Sequence, residues 1–177
     1  FSPLVGYNQS LKTFEDKGFR QMMPHVNFPY PEKEDAALNT EARTLYRGLI
    51  LFTELNHGYI NPTIDPYSAA IQTAMPDMSL WAKDEMVKSY GSSTAIFTEM
   101  VNWALVSVRA YDVLPENDAA LIANQVERIM VQNRGFTRFG EFQRRLLHLT
   151  RSRETQTVSE TIPAVISQLS DIEASSK

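Results

Sequence analysis

Seven arginines are concentrated in one stretch of the chain, residues 128–153, which we call the arginine segment. They are Arg128, Arg134, Arg138, Arg144, Arg145, Arg151 and Arg153. The segment contains one acid, Glu141, and no lysine, so its net charge is +6, and since the whole chain carries -4 the remainder carries -10. A guanidinium group presents a planar fork of donors that matches phosphate or carboxylate oxygens. The segment therefore predicts an anion-binding surface.

Part of the arginine segment has the spacing of one helical face. At 100° per residue, Arg144, His148 and Arg151 fall within about 60° of one another. They lie opposite four apolar positions, Phe139, Phe142, Leu146 and Leu149. Such a stripe favours nucleic-acid phosphate, with His148 and the seven arginines as binding residues. Two other interpretations remain: an acidic protein partner, including another copy, or pairing with acids of the same domain.

One fragment has the spacing of a metal site. Glu54 and His57 form a Glu-x-x-His pair, but di-iron helical bundles need that pair twice. The other two histidines, His25 and His148, have Met22 and Arg145 three residues before them. Because His57 precedes Gly58, we expect it to complement the negative end of a helix instead. No metal ligand is predicted.

No other pattern predicts catalysis. The phosphate-binding loop, dinucleotide-binding, nucleophile-elbow and HExxH motifs are all absent. Cysteine is absent, which excludes disulfides and cysteine-based zinc sites. The neighbouring acids Asp84 and Glu85 are expected on a solvated face, and Glu116 and Asp118 in a first helical turn. We predict no catalytic residue and no cofactor, and an enzyme is the least favoured class.

The elements that position these residues are helices. Apolar residues recur at three- and four-residue intervals, and we predict one all-α domain of about five to seven helices over residues 35–177. The predicted helices cover residues 35–56 (ending at Gly58), 66–74, 80–90, a central helix after Ser92 or Ser93, one from Pro115 towards Gly135, 137–152 and 162–173. The central helix supplies much of the core, namely Ile96, Phe97, Met100, Val101, Trp103, Leu105 and Val108. No strand is predicted.

Residues 1–34 are predicted to form an extended, proline-rich arm before the helical domain. The prolines are Pro3, Pro24, Pro29 and Pro31, and the aromatic residues among them are Phe14, Phe19, Phe28 and Tyr30. A short helix over residues 10–23 is compatible with this composition, whereas residues 25–31 must be extended because a proline disfavours the α conformation of its predecessor. The arm either wraps its own domain or docks on a neighbouring subunit.

Composition limits the function further. A net charge of -4 and a pI near 5.4 argue against coating nucleic acid by bulk positive charge. The longest apolar stretches are far shorter than the roughly 20 residues of a membrane span, so we expect a soluble chain. The favoured function is a structural subunit that forms homo-oligomers or a larger assembly such as a virion, as a nucleocapsid or coat protein on single-stranded nucleic acid. The alternative is an accessory helical subunit of a protein complex.

Overall fold

The computed structural model of the protein describes residues 10–25, 38–152 and 157–174. Within these residues the chain forms seven helices, two of them interrupted, and the prediction of a single all-α domain is confirmed. The segments are α1 (Thr40–Arg47), α2 (Leu49–Ile64), α3 (Ser68–Ala74), α4 (Asp84–Tyr90), α5 (Ser93–Val113), α6 (Glu116–Arg128), α7 (Phe139–Arg151), α8 (Val158–Ser167) and α9 (Leu169–Ala174). Gly48 separates α1 from α2, and Gln168 separates α8 from α9.

A β-hairpin precedes the helices, so the predicted absence of strands and the helix over residues 10–23 are wrong. Strand β1 (Ser10–Asp16) pairs antiparallel with β2 (Phe19–His25). Lys17 and Gly18 form the connecting turn with φ of 47° and 83°. Two positive φ values match a type I′ turn, whose twist suits a hairpin. Pro24 is tolerated because both strands of a two-stranded sheet are edges. Residues 26–31, predicted to be extended, lie outside the described residues.

The first long helix differs from its predicted bounds. It begins later, at Thr40, where the Asn39 side chain accepts a hydrogen bond from the Ala42 amide at 2.9 Å. It also continues beyond Gly58 to Ile64, so Gly58 is not its end. Glycine inside a helix costs about 1 kcal/mol, whereas the added turn buries both Ile60 and Ile64 in the core. The hairpin packs against this helix.

Helix α5 is the central helix, as predicted. The Ser92 hydroxyl accepts from the Ala95 amide at 3.1 Å and caps its first turn. The helix packs against α2, α3, α4, α6 and α7. Of the seven predicted core residues in α5, six are buried and Val108 is half-buried. The polar side chains of Glu99, Asn102 and Ser107 are buried in the same helix.

A π-helical turn links α6 to the segment before α7. Residues Ile129–Asn133 form this turn, and the Arg134 amide donates to the Ile129 carbonyl, five residues earlier, at 2.9 Å. Gly135, with φ of 76°, then reverses the chain, as the predicted stop requires. Helix α7 buries Phe139, Phe142 and Leu146. Among the described helices, none has the length and hydropathy needed to cross a bilayer.

Candidate functional site

The outward side of α7 carries three arginines and one histidine that we call the arginine face: Arg144, Arg145, His148 and Arg151. All four side chains are exposed, because the apolar side of the helix packs inward. The Phe97 ring on α5 and the Phe142 ring on α7 form a T-shaped pair with ring centroids 5.6 Å apart. This packing fixes the rotation of α7 and presents the stripe that the helical spacing predicted.

Two residues of the arginine face are paired with acids of α6. Arg151 donates from both terminal nitrogens to the two oxygens of Glu116, at 3.2 and 2.9 Å, and its guanidinium lies over the Tyr111 ring. Arg144 Nη1 donates to Glu127 Oε2 at 3.3 Å. The Arg144 and Arg151 side chains are 62% and 48% exposed. Exposed ion pairs contribute about 0 to 1 kcal/mol, so phosphate can displace these carboxylates at little cost.

The other two residues of the arginine face are not held by acids. Within the described chain, no hydrogen bond or ion pair joins the side chain of Arg145 or His148 to another residue. Arg145 therefore presents its charge to solvent beside the two paired arginines. Arg145 and His148 can therefore contact an anion without first breaking an ion pair within the described chain.

The remaining predicted binding residues are placed elsewhere. Arg128 is half-buried and donates to Gln125 Oε1 at 3.1 and 2.8 Å. Arg138 lies 3.6 Å from Glu141 and, with Arg144, Glu127 and Glu141, lines an open groove of about 430 Å³. Two arginines and two glutamates leave this groove without net charge, so it does not select an anion. Arg153 lies outside the described residues.

Arg134 points into the domain. It belongs to a group of side chains from three parts of the chain that we call the Glu99 cluster: His57, Tyr90, Glu99, Trp103 and Arg134. Arg134 Nη2 donates to Glu99 Oε1 at 2.6 Å and lies 2.7 Å from the Tyr90 hydroxyl. Its guanidinium carbon is 4.8 Å from the centre of the Trp103 ring. In this structure, the charge of Arg134 is therefore directed to a buried carboxylate.

Glu99 is the centre of this cluster. Its Oε1 also accepts from Trp103 Nε1 at 2.9 Å, and its Oε2 lies 3.4 Å from His57 Nε2. Burial alone would raise the pKa of Glu99, but the hydrogen bond from His57 and the charge of Arg134 outweigh it and hold this pKa below its usual range. Burial and the charge of Glu99 raise the pKa of Tyr90 to about 12. Glu99 is therefore a buried anion.

His57 joins α2 to this anion, and the expectation that it complements a helix end is wrong, because α2 continues to Ile64. His57 Nδ1 is 3.1 Å from Asn61 Oδ1, and Nε2 is 3.0 Å from Asn102 Nδ2. Burial lowers the pKa of His57, but the hydrogen bond and charge of Glu99 and the charge of Glu54 raise it above its ordinary value. Burial raises the pKa of Glu54.

The sequence interpretation missed the Glu99 cluster, although one signal was present. Glu99 and Asn102 are three residues apart in the most apolar helix, which places both on the same side of α5. Polar residues buried in such a helix need partners. Among the described residues, no group of three or more His, Cys, Asp or Glu side chains has the arrangement of a metal site.

Comparison with known proteins identifies no relative of this chain. No protein-family model matches the chain. Neither the curated proteins nor the solved structures contain a significant match to it.

Proposed function

We propose that this protein is a structural subunit that assembles with further copies of itself through its hairpin. The observation that supports this proposal is the exposure of two aromatic rings, Phe14 at 54% and Phe19 at 67%. Phe14 is paired with Gln21, and Asp16 is paired with Phe19. Directly paired residues project from the same face of a sheet, so the two rings are diagonal neighbours on one face. The two rings share this face with Gln21 and Asp16.

The rest of the hairpin also favours a partner. An isolated two-stranded sheet is marginally stable in water, and this one packs against α2. Both strands are edges, whose outward N–H and C=O groups can pair with another chain. The tip carries charges of both signs, with Glu15 and Asp16 beside Lys17. A face with two exposed aromatic rings and a tip of mixed charge is suited to another copy of the same chain.

Replacing both rings by serine should reduce assembly. The variant Phe14→Ser/Phe19→Ser removes both exposed rings but keeps the paired backbone and the Lys17-Gly18 turn. We expect the wild type to have a mass that is a multiple of 20.1 kDa and the variant to move towards 20.1 kDa, measured by light scattering at matched concentrations. Leu121→Ser is the control, because Leu121 is an exposed apolar residue on α6. An unchanged mass in the double variant would contradict the proposal.

A second function, binding of single-stranded nucleic acid by this assembly, is supported by the arginine face. Arg145 and His148 are exposed without acid partners in the described chain, and the acid partners of Arg144 and Arg151 are exchangeable. Such a surface suits phosphates that follow one another along a strand. A coat or nucleocapsid subunit combines these two properties. The alternative is an accessory subunit whose arginine face meets acidic protein.

Removing two cations should weaken nucleic-acid binding without regard to sequence. For Arg144→Gln/Arg151→Gln we expect the slope of log affinity against log salt to flatten by about 1.4 on a single strand, about 0.7 for each lost phosphate contact. The measurement is a salt titration of a labelled oligonucleotide. Arg47→Gln/Arg109→Gln is the control, since it removes the same charge from exposed positions on α1 and α5.

Replacing the α6 acids that pair with Arg144 and Arg151 provides a second test of nucleic-acid binding. Glu116→Gln/Glu127→Gln frees both arginines and should strengthen binding more than Asp84→Asn/Glu85→Gln, which makes the same charge change on α4. Equal slopes for the wild type and the arginine variant, or no binding by the wild type at low salt, would remove nucleic acid from the proposal. The accessory subunit would then be the better account of the arginine face.

A further inference from the structure

The Nε2 atom of His57 lies between a donor and an acceptor that both belong to α5. The donor is Asn102 Nδ2 at 3.0 Å, and the acceptor is Glu99 Oε2 at 3.4 Å. The orientation of the Asn102 amide is set by two other partners. Its Nδ2 donates to the Thr53 carbonyl at 3.0 Å, and its Oδ1 accepts from Asn56 Nδ2 at 2.8 Å. The amide therefore offers an N–H, not an oxygen, to the imidazole.

The proton on Nε2 decides which of these two atoms the ring can bind. A neutral ring that donates from Nδ1 to Asn61 Oδ1 has a lone pair on Nε2, which accepts from Asn102. A protonated ring donates from Nε2 and can then bind Glu99 but not the Asn102 N–H. When His57 gains one proton from solvent, its Nε2 atom therefore exchanges Asn102 for Glu99 as its partner on α5. The only covalent bond formed is the new N–H bond.

We propose that His57 is a proton-operated switch in the contact between α2 and α5. The neutral ring binds Asn102, and the protonated ring binds the Glu99 carboxylate, which Arg134 and Trp103 already hold in place. The His57 side chain is 21% exposed, so solvent can deliver the proton. The switch operates between α2 and α5 and does not depend on the proposed assembly function.

The charges around His57 favour its protonated form. Glu54 on α2 and Glu99 on α5 are the carboxylates that act on the ring, and they raise its pKa in spite of burial. Arg134 opposes them from the far side of Glu99. The other charged side chains described on α2 and the elements packed against it are Glu15, Asp16 and Lys17 on the hairpin, Glu41, Arg43 and Arg47 on α1, Asp65 after α2, Arg109 and Asp112 on α5, and Glu160 on α8. Arg43 is half-buried and donates to the Leu38 carbonyl at 3.0 Å, whereas the others are exposed and screened by solvent.

A titration of the histidine rings by NMR tests the switch directly in the full chain. We expect the midpoint of His57 to lie above the ordinary histidine value of about 6.5, and the side-chain amide signal of Asn102 to shift with the same midpoint. A His57 midpoint at or below about 6.5, or an Asn102 signal that does not follow it, would overturn the proposal.

A second experiment compares the unfolding temperatures of the wild type and His57→Gln. Because the pKa of folded His57 is raised, its extra stabilisation is present below about pH 6.5 and is lost as the pH rises through the folded pKa. The difference between the wild type and His57→Gln should therefore be larger at pH 5.5 than at pH 9. Equal differences for His57→Gln at both pH values would contradict the switch.

Discussion

Replacing Trp103 by alanine should lower the free energy of unfolding by about 3 to 5 kcal/mol, the range for large aromatic truncations in cores. The side chain is 3% exposed in the middle of α5, so its truncation leaves a cavity in the core. The change also removes the Nε1 donor to Glu99 and the ring against which Arg134 is stacked. The loss therefore combines a cavity with a disturbed buried ion pair.

Chemical denaturation measures this loss, and Tyr59→Ala is the matched control. Tyr59 is also an aromatic residue within a helix, but it is 67% exposed. Its replacement should cost less than about 1 kcal/mol, as surface substitutions usually do. A loss below about 1 kcal/mol for Trp103→Ala would contradict the position of its ring in the core.

Arg134→Gln should lower the free energy of unfolding by about 3 kcal/mol, the lower end of the range for breaking a buried ion pair. The lower end applies because the Arg134 side chain is 31% exposed while that of Glu99 is 8% exposed. The variant leaves the Glu99 carboxylate buried without its guanidinium partner. It also removes the donor to the Tyr90 hydroxyl and the cation over the Trp103 ring.

The pH dependence identifies the cause of that loss. At acidic pH His57 is protonated and supplies a cation to Glu99, so the loss in Arg134→Gln should be smaller there than at pH 9, where His57 is neutral. Arg145→Gln is the control, since that arginine is exposed on α7 and should cost less than about 0.5 kcal/mol. Equal small losses for the two arginines would show that the buried pair contributes little.

The helical part of the fold follows from local signals. Ser92 caps α5, Gly91 ends α4 with a left-handed φ of 70°, and Gly135 stops the chain after the π turn. The hairpin was missed because its turn places a lysine, Lys17, where asparagine or glycine is usual. Gly58 does not end the helix because continuing it buries Ile60 and Ile64 in the core. That burial depends on tertiary packing, which local helix preferences do not predict.

The candidate site, like the fold, has a part that the sequence predicts and a part that depends on tertiary packing. The arginine face could be predicted because its residues share one side of a single helix, and the helical period alone places them together. Their pairing with Glu116 and Glu127 could not, because it depends on how α6 lies beside α7. There Gly140 allows a close approach, since a Cβ at this position would overlap the Glu127 carboxylate. The Glu99 cluster likewise requires three segments that are distant in sequence.

The Glu99 cluster depends on the number of residues in the π turn over Ile129–Asn133 as well as on their chemistry. A turn closed over five residues instead of four holds one residue more than an α-helix needs. One residue corresponds to about 100° of rotation about the helix axis. Arg134 therefore meets Glu99 because the chain between Arg128 and Gly135 has the right length. A chain shorter there by one residue would keep its arginine, yet carry it out of phase with the carboxylate.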